Sequence, residues 1–251
     1  MGLYEKFATI YQRGPYLRFS QNLAESVFPQ YLKELDIQPS TLLDVACGEG
    51  SFAIAMSKLG CQVTGVDQSQ QMIDLAKHQA DQERQNVRFL VSDMCLMSFE
   101  DEFDLVTCFF DSLNYLLTIK ELYQTFQNVY QALKPGGYFI FDMNTIYGLA
   151  VEWMRQESYI QNQTDDFIEF HKHSFDYENL IAMVEITVFM KQDSLWERFI
   201  EIHRERGYPI ADLQILLQEA GFEILGVNGH LSHRSELFNT SPRVWFTVKK
   251  P

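Results

Sequence analysis

The stretch Leu42-Leu43-Asp44-Val45-Ala46-Cys47-Gly48-Glu49-Gly50-Ser51 decides how this chain is read. Residues 41–45 form a short apolar run with the length of a buried strand, and the glycine turn leaving it opens into a helical pattern over 51–59. Glycines at such a turn let the backbone approach a ligand with no Cβ in the way, while the first N–H groups of the helix point outward. Gly60 is placed to end the helix, and 62–66 is a second apolar strand stopped by Asp67. A carboxylate there is an acceptor pair suited to two ribose hydroxyls. Taken singly, a tight turn or a solvated strand-end acid needs no ligand; in this order the two predict a nucleoside-type site.

Outward from this stretch, strand and helix signals alternate. Residues 70–80 have helical spacing, with Met72, Ile73, Leu75 and Ala76 apolar, and strands are predicted at 87–91 and 103–109. A helix over 120–133 leads into Lys134-Pro135-Gly136-Gly137, read as a turn, and a fifth strand at 138–142. Short links between such elements imply right-handed β-α-β units and a mostly parallel sheet. After residue 145 the pattern changes. Strands at 167–175, 180–190 and 196–204, joined by Asp176-Tyr177-Glu178-Asn179 and Lys191-Gln192-Asp193-Ser194, suggest an antiparallel meander. A helix at 210–220 and strands at 222–227 and 244–248 can rejoin the parallel sheet. The expected fold class is α/β: a Rossmann-like, doubly wound, mostly parallel seven-stranded sheet with an antiparallel β insertion. Residues 35–145 and 207–251 would form the cofactor-binding core and 146–206 the insertion. Residues 1–34 would form a helical lid, with Tyr4, Phe7 and Tyr11 on one face.

Composition narrows the partners. Thirty-four acidic against 20 basic residues leave a formal charge of −14 over 251 residues, which argues against phosphate-dominated nucleic-acid binding and against docking on anionic membrane. The N-terminal Met1-Gly2-Leu3-Tyr4-Glu5-Lys6 lacks the regions of a secretory leader, and no apolar run approaches bilayer-spanning length. Cys47, Cys61, Cys95 and Cys108 show no C-x-x-C spacing and read as buried thiols. The expectation is a cytoplasmic protein acting on a small molecule, with no resident metal.

The ligand's charge can be argued from the same loop. Gly48-x-Gly50-x-x-Ala53 formally satisfies a loose dinucleotide pattern, and a nicotinamide-dependent oxidoreductase is the alternative enzyme reading. Asp44, however, lies just before the loop, where a carboxylate hinders a pyrophosphate and favours a cation. The second half also supplies a meander where a dinucleotide fold needs a second nucleotide-binding unit. A cationic nucleoside without phosphates fits better, and S-adenosylmethionine is one.

At these residues the sequence resembles the class I S-adenosylmethionine-dependent methyltransferases, over about residues 35–145 and the closing strands. Asp44 to Gly50 is similar to that family's first motif, E/D-x-x-x-G-x-G; Asp67 resembles its ribose-binding acid; Ser92-Asp93-Met94 resembles the adenine-contacting segment; Leu133-Lys134-Pro135-Gly136-Gly137 resembles the turn before the fifth strand. The segment 107–115 and the late meander are similar to small-molecule types, including glycine and aminosugar N-methyltransferases. The resemblance implies a cofactor site of Tyr11, Asp44, Ala46, Gly48, Gly50, Asp67, Gln68, Asp93, Met94 and Phe109, the last through its carbonyl; Met72 is placed either to pack against adenine or to fill core, and Arg18 either to meet the cofactor's carboxylate or to stand on the surface. Where the family's lid carries a Tyr-Asp pair, this chain has Tyr11-Gln12.

Catalytic candidates are Asp111, Asn114 and Tyr115, which follow the fourth strand at the carboxyl edge where open α/β sheets bind ligands. Their alternative reading is a helix cap and surface polarity. His171, His173 and His203 fall in the meander; His-x-His on a strand shares one face, yet no third ligand stands at a metal-binding spacing, and surface or partly buried histidines are expected. Arg206 and Tyr208 are placed to reach the mouth of the site, and Met183, Phe189, Met190 and Trp196 to pack the meander. The reaction implied is in-line methyl transfer to a nitrogen or oxygen of a small molecule, where alignment does most of the work. A module that binds the cofactor and regulates a partner is the non-enzyme alternative.

Overall fold

The computed structural model describes residues 22–231 and 235–251. Five strands, β1 (Thr41–Val45), β2 (Gln62–Asp67), β3 (Arg88–Val91), β4 (Phe103–Cys108) and β5 (Leu133–Asn144), lie side by side and parallel. Helices α1 (Phe28–Glu34), α2 (Ser51–Lys58), α3 (Gln70–Gln82) and α4 (Ile119–Ala132) precede or connect them. The chain closes with α5 (Ile210–Glu219), β10 (Glu223–Asn228) and β11 (Arg243–Lys249). Strand order is β10-β11-β5-β4-β1-β2-β3, and β11 is antiparallel to both neighbours, so the other six strands run one way. This is the Rossmann-like seven-stranded sheet that the sequence predicts.

Why the site sits where it does follows from that order. The chain runs outward from β1 to β3, then returns to β4 on the other side of β1. That reversal splays the loops after β1 and β4 apart and opens a crevice at the carboxyl ends. Alternate residues of β1 feed opposite cores. Leu42 packs with Phe28, Phe52 and Ile73 on one face, and Leu43 with Val106, Phe126 and Phe141 on the other. Two of the helices start where a side chain satisfies a free N–H group. Ser69 Oγ accepts from Met72 N at α3, and Thr118 with Glu121 forms a reciprocal cap on α4. Gly50 begins α2 at φ +86°, and a Cβ there would meet Ala76 Cβ and the Phe89 ring at 2.8 Å. Only glycine allows that approach.

Two elements differ from expectation. The 134–137 turn is absorbed into β5, which starts at Leu133 directly after α4. Gly136 (φ +83°) donates its N–H to Lys250 O at 2.8 Å and Lys250 N donates to Gly137 O at 2.9 Å, so the chain end after β11 holds this turn extended. The antiparallel sheet has four strands: β6 (Ser158–Gln163), β7 (Phe167–Asp176), β8 (Ile181–Gln192) and β9 (Leu195–Arg206). β6 was hidden because Ser-Tyr-Ile-Gln-Asn-Gln has no apolar alternation; as an edge strand pairing only with β7, it needs none. Trp196 is also exposed at the sheet's outer surface, not packed within it.

Candidate active site

A cavity of about 910 Å³ opens at the carboxyl ends of β1 to β4 and runs beneath the antiparallel sheet. At its floor Asp44 is buried, and Thr107 Oγ1 donates to its Oδ1 at 3.0 Å. Burial pushes the Asp44 carboxyl up to about 8, the Thr107 hydrogen bond opposes this, and the charges of Glu49 and Asp67 add to it. Asp67 is gripped by two backbone donors, Gly48 N at 3.0 Å and Ser69 N at 2.8 Å, yet its burial still raises its pKa. Glu49 is likewise raised by burial. Three carboxyl groups crowded out of water make a site that a cation relieves. Gly48, at φ +54°, leaves open space where a Cβ would stand. These residues fit a cationic nucleoside and oppose a pyrophosphate.

Ala46, Gln68, Met72, Asp93, Met94 and Phe109 line the same cavity. Asp93 Oδ1 accepts from Cys95 N at 2.8 Å, and Asn128 Nδ2 donates to Met94 O at 3.1 Å, which fixes the loop after β3. The Phe109 ring is clamped edge-on by Phe28 and Phe52, and its carbonyl accepts from Ser112 Oγ at 2.8 Å. A carbonyl has two lone pairs, so one is left for a ligand. Gly50 does not line the cavity; it serves the start of α2. Tyr11 and Arg18, with the rest of the expected lid over 1–21, lie outside the described residues.

After β4 the backbone is strained. Phe110 and Asp111 both sit in the left-handed region, φ +61° and +53°, which costs a non-glycine residue energy. Asp142 holds them there: its fully buried carboxylate accepts Phe110 N at 2.8 Å and Asp111 N at 3.3 Å and pairs with Arg243. Arg243 Nη2 also donates to Asp111 Oδ1 at 2.7 Å. Asp111 in turn adjoins Glu205 of β9. Burial foremost, then the Asp111 charge, keeps the Glu205 carboxyl well above the usual carboxylate range, while Asn144 Nδ2 donates to it at 2.9 Å.

Asn114 is fully buried and does not line the cavity. Its Nδ2 donates to Asn144 O at 3.0 Å and Arg206 O at 2.8 Å, and its Oδ1 accepts Asn144 N at 2.9 Å. It joins the ends of β5 and β9. Arg206 and Tyr208 also stay out of the cavity. Arg206 stacks 5.1 Å over the Tyr208 ring and donates to Leu117 O, while Tyr208 Oη donates to Leu116 O.

The roof corrects the reading of the histidines. His171, His173 and His203 are buried, at 6, 7 and 5 % exposure, and all three line the cavity. Register explains it: His173, Val184 and His203 pair across β7, β8 and β9 on the face turned inward. His173 Nδ1 donates to Trp153 O at 2.9 Å, and Tyr115 Oη meets His203 Nδ1 at 3.0 Å. Burial, then the charge of His171, pushes His203 down to about 4. Burial also lowers His173. Trp153, Tyr159, Asp142, Arg243 and Glu205 were not singled out from sequence; an acid closing an otherwise apolar strand was the one available signal, at Asp142. Among the described residues no group of three His, Cys, Asp or Glu is arranged to hold a metal ion, and no helix is long and apolar enough to cross a membrane.

Strand order, a glycine loop facing the crevice and acids at successive strand ends define a Rossmann-like protein of the nucleoside-binding class. A methyltransferase-domain family model matches residues 42–137. A protein of Geobacillus sp. (strain WCH70) named as a methyltransferase is 32 % identical over 260 residues, covering 98 % of this chain and 99 % of that one. An S-adenosylmethionine-dependent methyltransferase from Clostridium acetobutylicum ATCC 824 is 26 % identical with a TM-score of 0.85, covering 98 % of each chain. The amino pentose methyltransferase CalS10 of Micromonospora echinaspora, 18 % identical, shares the fold with a TM-score of 0.73, covering 100 % of this chain and 99 % of its own. The chain belongs to the class I S-adenosylmethionine-dependent methyltransferases. It is an enzyme of that family.

Proposed function

We propose that this enzyme methylates a nitrogen or oxygen of a small, neutral or cationic molecule. Asp67 would hold the ribose; Gln68, Met72, Asp93 and Met94 would hold the adenine; Asp44, Ala46, Gly48 and the Phe109 carbonyl would hold the amino-acid end. Residues 35–145 and 207–251 would carry the cofactor, and 146–206 would wall the acceptor chamber. S-adenosylmethionine supplies a methyl group already activated by its sulfonium, so the protein's task is alignment and exclusion of water.

One observation carries the reading: a single cavity joins the strand-end acids to the histidine-lined roof, giving donor and acceptor one enclosed space. Its charge supports the acceptor class. Asp or Glu stands at eight lining positions against arginine at two, and both arginines are paired with carboxylates, Arg155 with Glu152 and Arg243 with Asp111 and Asp142. An anionic acceptor would meet repulsion. Calorimetry with S-adenosylmethionine, followed by mass spectrometry of a small-metabolite extract incubated with methyl-labelled cofactor, tests it. Label entering RNA or protein faster than small metabolites would overturn the acceptor class.

A further inference from the structure

Two of the three histidines under the roof lie beside carboxylates, His203 Nε2 at 3.4 Å from Glu201 Oε1 and His171 at hydrogen-bond distance from a more deeply buried one. His171 Nε2 lies 2.7 Å from Glu169 Oε1, two residues along the same face of β7, and Glu169 is 2 % exposed. That carboxylate accepts the Nε2 proton and so selects the tautomer whose Nδ1 carries a lone pair. Among the described residues none hydrogen-bonds Nδ1, and the His171 ring lines the cavity.

We propose that His171 is the general base of the methyl transfer, with Glu169 as its positioning residue. The inference rests on the acceptor reading above. The acceptor's nitrogen or oxygen forms its bond to the methyl carbon as the carbon–sulfur bond breaks and its electron pair stays on sulfur. The acceptor's proton passes to His171 Nδ1, and the imidazolium, balanced by Glu169, returns it to water when product leaves.

The neighbours direct the proton to this one ring. Tyr159 faces it from β6, with ring centroids 5.5 Å apart; Ile186 stands opposite on β8, and Glu201 lies beyond it on β9. On β7 itself His173 is 6.1 Å away, centroid to centroid. Burial first, with the neighbouring His171 adding to it, holds both His173 and His203 below their ordinary range, which makes those two the poorer proton acceptors. Buried aliphatic groups Val184 and Ile186 complete the surface around it, which keeps water away from the acceptor.

Nitrogen-15 NMR of the ligand-free protein reads the pair without turnover. The expected spectrum has His171 protonated on Nε2 and bare on Nδ1, and Glu169→Ala, which removes the acceptor of the Nε2 proton, abolishes that preference for one tautomer. Label transfer from methyl-labelled S-adenosylmethionine into the low-molecular-weight fraction of a cell extract should fall about 10²–10⁴-fold in His171→Gln, with cofactor affinity unchanged by calorimetry. An Nδ1-protonated ring, or wild-type transfer by a folded His171→Gln protein, overturns the proposal. If His171→Gln does not fold, the tautomer in Glu169→Ala decides, and an unchanged preference for Nε2 overturns the pairing. Wild-type protein that fails to bind the cofactor, or that binds it and labels only macromolecules, overturns instead the reading on which it rests.

Discussion

Asp67 accepts the backbone N–H of Gly48 at 3.0 Å, so the acid that ends β2 braces the glycine loop that leaves β1. Its second oxygen accepts Ser69 N at 2.8 Å, at the start of α3. One carboxylate thus sets the spacing of two loops and keeps lone pairs for a ligand. Asp67→Ala should weaken S-adenosylmethionine binding by about 1.5–3 kcal/mol, the cost of removing a charged acceptor. S-adenosylhomocysteine, which shares the ribose, should lose as much. Calorimetry showing unchanged affinity for both would remove Asp67 from the site.

Asp44 ties the site to pH. With a folded pKa of about 8 against an ordinary 3.8, the folded protein holds a proton that the unfolded chain has released across that window. Stability from this group therefore falls as pH rises from about 4 to 8. Asp44→Asn should melt above wild type at pH 8 and match it near pH 4. The cofactor's positive charge draws Asp44 back into its ionised form, so binding at pH 7 should release protons and tighten as pH approaches 8. Calorimetry in buffers of different ionisation enthalpy counts them; an absence of proton release would break the pairing of Asp44 with the cation.

His203 gives the opposite slope. Its folded pKa of about 4 lies below the ordinary 6.5, so between those values the unfolded chain binds more protons and stability falls as pH drops. Against wild type, His203→Gln should therefore gain thermal stability as pH falls from 6.5 toward 4. Parallel melting curves for the two would show that His203 carries none of the acid sensitivity.

Asn114→Ala removes three hydrogen bonds, two of them buried and one part-buried, and leaves Asn144 N, Asn144 O and Arg206 O without this partner. Destabilisation of about 3 kcal/mol or more is expected, since each buried polar group left unsatisfied costs about 1–3 kcal/mol. Urea unfolding measures it. A variant with full stability and no methyl transfer would restore Asn114 to the catalytic candidates.

The floor of the site was legible because its determinants are local. A strand, a glycine turn and a helix start are all written within Leu42 to Ser51, and an acid at the end of an apolar run marks a carboxyl edge, as at Asp67. Periodicities of two and 3.6 place such residues on elements without reference to the rest of the chain. The left-handed Phe110 and Asp111 were not legible: Asp142 and Arg243 hold them from the ends of two later strands, 101 residues apart from one another.

The roof depended on tertiary structure for the same reason. His171 and His173 share a face by the pleat alone, but whether that face meets solvent or a cavity depends on how the antiparallel sheet lies against the crevice. The sheet's seat rests on Asn114, Asn144, Glu205 and Arg206, whose contacts span 30 to 92 residues of sequence. Pairing at such range is decided by which polar groups must be satisfied once the surrounding surface is buried. The sequence by itself therefore determined the α/β fold, the glycine loop and the strand-end acids. Only the folded chain decided that three histidines of an outlying sheet would be carried inward to close the chamber over them.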